Sequence, residues 1–199
     1  GDLWMFGGAA PGLGSLNDLW KYNINSNEWT WMKGSSTGNS PGHYGLKGIE
    51  TTLNNPSSRW AYCKWKDLNG NFWFFGGNAY SAGGKINDLW RFNPTTNNWT
   101  WMSGDSTAHS PNIYSEKCDG SLPAMPGARY ENRVSWKDSD GNLIFYGGSS
   151  SVGLRGDLWK YCINANVWIL LAGDTISNPH PNWGQFGIGE STNKTVGKA

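Results

Sequence analysis

Three histidines are the side chains of this sequence best suited to bind a transition metal, and they lie far apart in the chain. His43, His109 and His180 are separated by 66 and 71 residues. A metal site needs several ligands that converge on one point, and a single histidine in each long segment does not supply them. We therefore predict polar loop histidines, no metal site and no cofactor.

The three cysteines leave two arrangements open. Cys63, Cys118 and Cys162 are an odd number, which allows one disulfide with a spare thiol or three free thiols. The cysteines alone therefore do not indicate a cellular compartment.

Five charged residues recur at matching positions along the chain. They are Asp18, Asp88, Asp157, Arg59 and Arg129. A catalytic centre requires one convergent constellation, whereas charges repeated in successive units indicate internal hydrogen bonding of buried polar groups. The sequence also lacks a phosphate-binding loop, a GxSxG nucleophile elbow and an HExxH zinc helix. We predict no catalytic residues and a protein that is not an enzyme.

Two acidic segments resemble calcium loops in composition but not in spacing. Residues 67–71 (DLNGN) and 138–142 (DSDGN) lack the longer spacing and the terminal glutamate of an EF-hand loop. Asp, Asn and Gly are typical of tight hairpin turns, where Asn and Gly adopt positive φ. Both segments are therefore predicted to be turns between strands.

All these residues belong to a repeat of about 70 residues. NDLWKYNINSNEWTWM (17–32) recurs as NDLWRFNPTTNNWTWM (87–102) and, more loosely, as GDLWKYCINANVWILL (156–171), at offsets of 70 and 69 residues. A glycine pair precedes each copy. The recurring motif residues are Gly7, Gly8, Gly76, Gly77, Gly147, Gly148, Trp29, Trp99, Trp168, Arg59 and Arg129.

Each unit is predicted to contain four short antiparallel strands. The first strands are RWAYCKW (59–65) and RYENRVSW (129–136), and the second are FWFF (72–75) and LIFY (143–146). The DLW and WTW segments provide the third and fourth strands. FWFF and LIFY show no polar alternation, which indicates sheets covered on both faces. The opening GDLWMFGG aligns with GNFWFFGG (70–77), so the first unit is expected to lack its first strand.

A glycine pair closing the second strand, an aromatic residue on the third and a tryptophan on the fourth resemble the kelch repeat, one blade of a β-propeller. The resemblance covers essentially the whole chain, although the period of about 70 residues exceeds the usual kelch period of about 50. The sequence is similar to long-period kelch proteins with NDLW and WTW motifs, which are often secreted or exposed on microbial cells.

The resemblance implies an all-β, kelch-type propeller segment of about three four-stranded antiparallel blades, where a blade is the sheet formed by one unit. The expected blades are residues 1–32, 59–102 and 129–171. The links are residues 33–58, 103–128 and 172–199.

The long and variable loops of antiparallel blades are expected to share one face of the molecule, where insertions in repeat proteins commonly bind ligands. The candidate ligand-binding residues on this loop face are His43, Tyr44, Tyr80, Tyr114 and Trp183. The leading hypothesis is a non-catalytic extracellular module that binds or assembles with a protein through its loop face or open blade edges.

Two other functional hypotheses follow from the same features. One is a lectin-like propeller, in which Tyr44, Tyr114 and Trp183 stack on sugar rings. The other is a fragment of a copper oxidase, because the galactose oxidases also have a kelch-type propeller.

Charge and composition narrow the range of partners. The net charge of +1 provides no basic footprint for nucleic acid, and apolar runs such as FWFF are far too short to span a bilayer. Asn98 and Asn193 begin N-x-T glycosylation acceptors, which favours an extracellular or cell-surface location. Propellers typically have four to eight blades, so completion by further chain or another subunit is expected.

Overall fold

The computed structural model describes residues 1–131 and 134–198 and consists of short antiparallel sheets. The described residues contain one 3₁₀ turn, Tyr80–Ala82, and none of their helices is long and apolar enough to cross a membrane. In chain order the strands are β1 (Leu3–Ala10), β2 (Gly14–Asn23), β3 (Glu28–Lys33), β4 (Glu50–Thr51), β5 (Cys63–Lys66), β6 (Phe72–Phe75), β7 (Asn78–Ala79), β8 (Gly84–Lys85), β9 (Leu89–Asn93), β10 (Asn98–Ser103), β11 (Arg129–Tyr130), β12 (Val134–Lys137), β13 (Leu143–Tyr146), β14 (Ser149–Ser150), β15 (Gly153–Leu154), β16 (Asp157–Cys162) and β17 (Val167–Gly173).

Three sheets correspond to the three predicted blades. The first has the strand order β1-β2-β3, the second β4-β10-β9-β6-β5 and the third β12-β13-β16-β17. Two small sheets, β7-β8 and β11-β14-β15, extend from the ends of the second and third blades. The all-β architecture and the three-stranded first blade are confirmed.

Apolar residues on both faces of the second blade hold the three blades together. Phe74, Trp90, Phe92 and Trp99 face the first blade and pack with Phe6 and Leu19. The opposite face packs against the third blade through a cluster of Cys63, Trp65, Trp73, Phe75, Leu89, Leu143, Phe145, Trp159, Tyr161, Trp168 and Leu170. The absence of polar alternation in FWFF is thus explained, because successive residues of β6 point to different neighbouring blades.

The first strand of the second blade is shorter than predicted. It begins at Cys63 rather than at Arg59, because the backbone of Arg59 is hydrogen-bonded to the first blade instead. The Arg59 N–H donates to the Leu16 carbonyl at 2.8 Å, and the Arg59 carbonyl accepts from the Gly8 N–H at 2.9 Å. Ala61 then adopts φ of 53°, which redirects the chain into β5.

The corresponding strand of the third blade is divided. Residues 129–130 form β11, which pairs with β14, and β12 starts only at Val134. Residues 132 and 133 of the predicted strand, and residue 199 of the predicted last link, lie outside the described residues.

The link at residues 33–58 contains a strand that the sequence pattern did not predict. β4 pairs antiparallel with β10, placing Thr51 opposite Trp99 and Glu50 opposite Thr100. Because β10 is the outermost of the four predicted strands, the link from the first blade forms a fifth strand on the edge of the second.

Hairpin turns lie where the acidic segments predicted them. The Asp67 carboxylate accepts hydrogen bonds from the backbone N–H groups of Asn69 and Asn71, both at 2.9 Å, and from the Trp73 indole at 2.7 Å. Gly70 adopts φ of 86°, as a tight turn requires. These three hydrogen bonds to Asp67 all come from residues of the hairpin.

A glycine that follows β10 gives a direct test of this backbone. Gly104 has φ of 82°, and a Cβ atom there would lie 2.1 Å from the Asn87 carbonyl oxygen. We expect Gly104→Ala to lower the free energy of unfolding by about 1–3 kcal/mol or more, because it adds backbone strain and a clash with the main chain. Gly189→Ala is the control, since nothing lies within 4 Å of its Cβ position, and it should change stability by less than about 0.5 kcal/mol. Urea unfolding measures both, and equal losses would contradict the prediction.

Candidate functional site

The recurring Arg59 lies at the junction of the first two blades. Its guanidinium donates to both carboxylate oxygens of Asp88, at 2.6 and 2.7 Å, and to the Gly76 carbonyl at 3.2 Å. Both charged side chains are fully buried. Since the Arg59 backbone is bonded to the first blade and its side chain to the second, one residue joins two sheets.

Arg129 repeats this arrangement between the second and third blades. Its guanidinium donates to Asp157 at 2.6 and 3.1 Å and to the Gly147 carbonyl at 3.0 Å. Burial alone would raise the pKa of Asp157, but the charge and hydrogen bonds of Arg129 outweigh it and hold that pKa below its usual range. The carboxylate is therefore a stable anion that balances a buried cation.

The glycine pairs allow the arginine carbonyl to approach the preceding blade. The Gly8 and Gly77 N–H groups donate to the carbonyls of Arg59 and Arg129, each at 2.9 Å. Gly7 has φ of 52°, and a Cβ atom there would lie 2.9 Å from the Arg59 carbonyl oxygen. The motif glycines thus provide close contact between backbones, and their spacing relative to arginine follows from that contact.

Tyr44 and Tyr114, two of the candidate ligand-binding residues, contact the buried carboxylates. The Tyr44 hydroxyl donates to Asp88 at 2.6 Å and the Tyr114 hydroxyl to Asp157 at 3.1 Å. The rings pack on Trp90 and Trp159, with centroids 5.0 and 5.7 Å away. Burial, followed by the charge of Asp157, raises the pKa of Tyr114 to about 12. Both tyrosines therefore anchor a link to the next blade.

Trp183 and Tyr80 remain available for external contact. Trp183 occupies the position of Tyr44 and Tyr114 in the last link, yet its side chain is 77% exposed. Tyr80 is 62% exposed on the 3₁₀ turn. Among the aromatic pairs of the described residues, neither Trp183 nor Tyr80 packs against Tyr44 or Tyr114.

The three histidines are exposed on separate links. His43 forms a backbone bridge with Asn55, and the His109 ring lies 3.2 Å from the Gly83 carbonyl oxygen. His180 is also exposed. Within residues 1–131 and 134–198, no group of three or more His, Cys, Asp or Glu side chains has a metal-binding arrangement.

The cysteines are three free thiols. Cys63 is buried between the second and third blades, and its burial raises the pKa of the thiol to about 12. Cys118 is exposed and Cys162 partly exposed. Of the two arrangements left open by the sequence, the structure therefore has the one without a disulfide.

The two glycosylation acceptors lie in different local structures. Asn98 starts β10 and pairs with Asn93 across a hairpin. The Asn193 side-chain amide donates to the Ile188 carbonyl at 3.0 Å in the last link. Both side chains are partly exposed.

The first blade has an apolar face that contains none of the candidate ligand-binding residues. We call it the open face, and it consists of Leu3, Met5, Trp20, Tyr22, Trp29 and Trp31. Leu3, Met5, Trp29 and Trp31 are each 49–56% exposed. The repeat alignment contained the signal, since the corresponding residues of the second and third blades contact a preceding blade.

Comparison with known proteins gives two curated relatives. No protein-family model matches the chain. The chain is 29% identical over 168 residues to Multiple epidermal growth factor-like domains protein 8 of Homo sapiens, and 31% identical over the same length to that of Mus musculus. Each similarity covers 84% of this chain, but the chain spans only 5% of the length of these relatives.

A solved structure shows the same arrangement of sheets. The solved structure of YjhT superposes with a TM-score of 0.54 at 15% sequence identity. The chain has a β-propeller-like fold. The superposition covers 90% of this propeller segment and 50% of the YjhT chain, and it concerns the fold alone.

Removing one partner of a buried pair should destabilise the propeller segment strongly. We expect Asp88→Asn to lower the free energy of unfolding by about 3–5 kcal/mol, because Arg59 would keep a buried charge without a counter-ion. Asp174→Asn is the matched control, since its partner Lys194 is 43% exposed, and should cost less than about 1 kcal/mol. Urea unfolding followed by tryptophan fluorescence separates them, and equal costs would contradict the buried pair.

The lowered pKa of Asp157 also predicts a dependence of stability on pH. A carboxyl whose pKa is lower in the folded state contributes stability above its ordinary pKa of about 3.9, and that contribution is lost as pH falls through the folded pKa. The urea midpoint should therefore decrease as the solution is acidified below about pH 4. A double variant, Arg129→Met with Asp157→Leu, removes both charges and should show a shallower decrease. An unchanged slope would exclude Asp157 as a contributor.

Proposed function

We propose that this chain is part of an extracellular kelch-type β-propeller that works as a non-catalytic binding or assembly module. The observation that carries the proposal is the open face of the first blade, where Trp29 and Trp31 are about half exposed. Contiguous apolar surface of this kind is typical of protein interaction sites. The partner would be another protein or further propeller blades.

Two observations support an extracellular location. The curated relatives are named for epidermal growth factor-like domains, a domain type of secreted proteins. The acceptors at Asn98 and Asn193 are sites at which a secreted protein can be glycosylated.

The use of the recurring polar residues supports a non-catalytic role. Arg59, Arg129, Asp88 and Asp157 are fully buried in bonds between blades, and Tyr44 and Tyr114 bond to the same carboxylates. These groups maintain the fold and are not presented to a substrate.

Glycan binding is a second candidate function, favoured by one specific observation. The last link exposes Trp183 to 77% and leaves Phe186 fully exposed. An exposed indole can stack on the apolar face of a sugar ring. Tyr44 and Tyr114 are less suited to this role, because their rings already pack on tryptophans of the next blade.

A glycan array and an oxidase assay test the proposal together. The purified chain, incubated with Cu²⁺ and D-galactose, should produce no hydrogen peroxide above a copper-only control. On the array, the wild-type chain should show no saturable glycan binding that Trp183→Ala abolishes. Tyr80→Ala, at another exposed aromatic residue, is the matched control. Peroxide production would overturn the non-catalytic proposal, and saturable glycan binding abolished by Trp183→Ala alone would establish the lectin-like function instead.

A further inference from the structure

The open face corresponds, residue by residue, to surfaces that are buried elsewhere in this chain. Trp29 aligns with Trp99 and Trp168, which are 0% and 2% exposed, whereas Trp29 is 53% exposed. Met5 aligns with Phe74 and Phe145, and Trp20 with Trp90 and Trp159, all of which are buried. At both internal junctions this surface is covered by a preceding blade. The repeat therefore indicates what kind of surface covers the open face.

An unsatisfied carboxylate beside the open face supports the same assignment. Asp88 and Asp157 each accept bonds from the arginine that begins their own unit and from a tyrosine of the preceding link. Asp18 occupies the same position and accepts an indole bond from Trp20 at 2.7 Å, as Asp88 does from Trp90. The Asp18 Oδ1 atom, however, is buried without a hydrogen-bond partner. A buried oxygen of this kind indicates a missing donor.

The last link of this chain contains the counterparts of those missing donors. Lys198 takes the place of Arg59 and Arg129, since the Gly148 N–H donates to its carbonyl at 2.6 Å and its own N–H donates to the Arg155 carbonyl at 3.1 Å. Its side chain is exposed. Trp183 takes the place of Tyr44, with an indole N–H where the tyrosine has a hydroxyl.

The exposed apolar tip of the last link fits the open face in the same register. WGQFGI (183–188) aligns with YGLKGI (44–49), in which the Lys47 ammonium lies 4.6 Å from the centre of the Trp101 ring. Phe186 aligns with Lys47, and Trp31 aligns with Trp101. A fully exposed phenylalanine would thus meet a half-exposed tryptophan.

The free edge of β3 completes this correspondence. In the second blade, Gly48 donates to the Trp101 carbonyl at 2.8 Å, and β4 then pairs with β10. The equivalent residues 189–190 follow Phe186 in an unpaired segment, and β3 is the edge strand of the first sheet. Addition of a short strand to such an edge is a common mode of protein recognition.

We propose that the open face binds the third-blade end of a second copy of this chain, with Lys198 and Trp183 directed to Asp18 and Phe186 packed on Trp31. The proposal rests on the assembly role proposed above and specifies its partner. Two copies of three blades make six, within the range of known propellers. The chain matches 50% of the YjhT chain, so two copies joined head to tail would match the length of that chain.

Solution mass measurement tests the pairing directly. Light scattering after size exclusion should give twice the 21.9 kDa of one chain. Trp31→Glu and Phe186→Glu should each raise the dissociation constant by at least about tenfold, because each places a charge in the apolar centre of both junctions. Val152→Glu, at a 62% exposed position in the turn between β14 and β15, is the matched control and should leave the dimer intact.

Mixing the two variants distinguishes head-to-tail pairing from any other dimer. Trp31→Glu keeps a native last link and Phe186→Glu keeps a native open face, so a mixture should form a heterodimer through one intact junction. Lys198→Arg should tighten the wild-type dimer several-fold, because arginine can bind the Asp18 carboxylate through two bonds as at the internal junctions.

Three results would overturn the proposal. The first is a monomer at concentrations up to about 100 µM, where even weak contacts are populated. The second is a dimer that survives Phe186→Glu, which would indicate two open faces packed on each other. The third is the absence of a heterodimer in the mixture. Each would leave the proposed extracellular binding role standing and assign the open face to a different partner, such as additional blades.

Discussion

The buried contact between an arginine and an aspartate is the interaction on which the other features of this propeller segment depend. The backbones of Arg59 and Arg129 are hydrogen-bonded to one blade, and their guanidinium groups are hydrogen-bonded to the next. Two charges buried together without water are costly unless every donor and acceptor is satisfied. The surrounding residues meet that requirement, and their identities follow from it.

The glycine pairs and the link tyrosines are consequences of this contact. Glycine is needed where the arginine carbonyl approaches the end of the second strand, since a Cβ atom at Gly7 or Gly76 would lie 2.9 or 2.7 Å from that oxygen. The tyrosine hydroxyls supply a further donor to Asp88 and Asp157. The recurring residues at the two internal junctions are therefore occupied by the fold.

The first blade and the last link are where this pattern is incomplete. Asp18 has no arginine, the tryptophans of the open face have no covering blade, and Trp183 has no carboxylate partner among the described hydrogen bonds. The first blade thus has exposed apolar surface beside a buried carboxylate oxygen without a partner, and in the proposed assembly these two features would supply affinity and a defined register. The assembly proposed above pairs these two incomplete surfaces with each other.

The sequence by itself determined the repeat, the four strands of each unit, the missing first strand and the hairpin turns, because these depend on local periodicity and on turn chemistry. It also indicated that the recurring Arg and Asp residues are internal. Only the tertiary structure decided that Tyr44 reaches Asp88 and that the link at residues 33–58 adds β4 to the next blade. Those contacts join residues more than 40 positions apart, and their geometry depends on how one twisted sheet packs on another. For the same reason only the structure distinguished the buried Trp99 from the exposed Trp29, although the two share one motif.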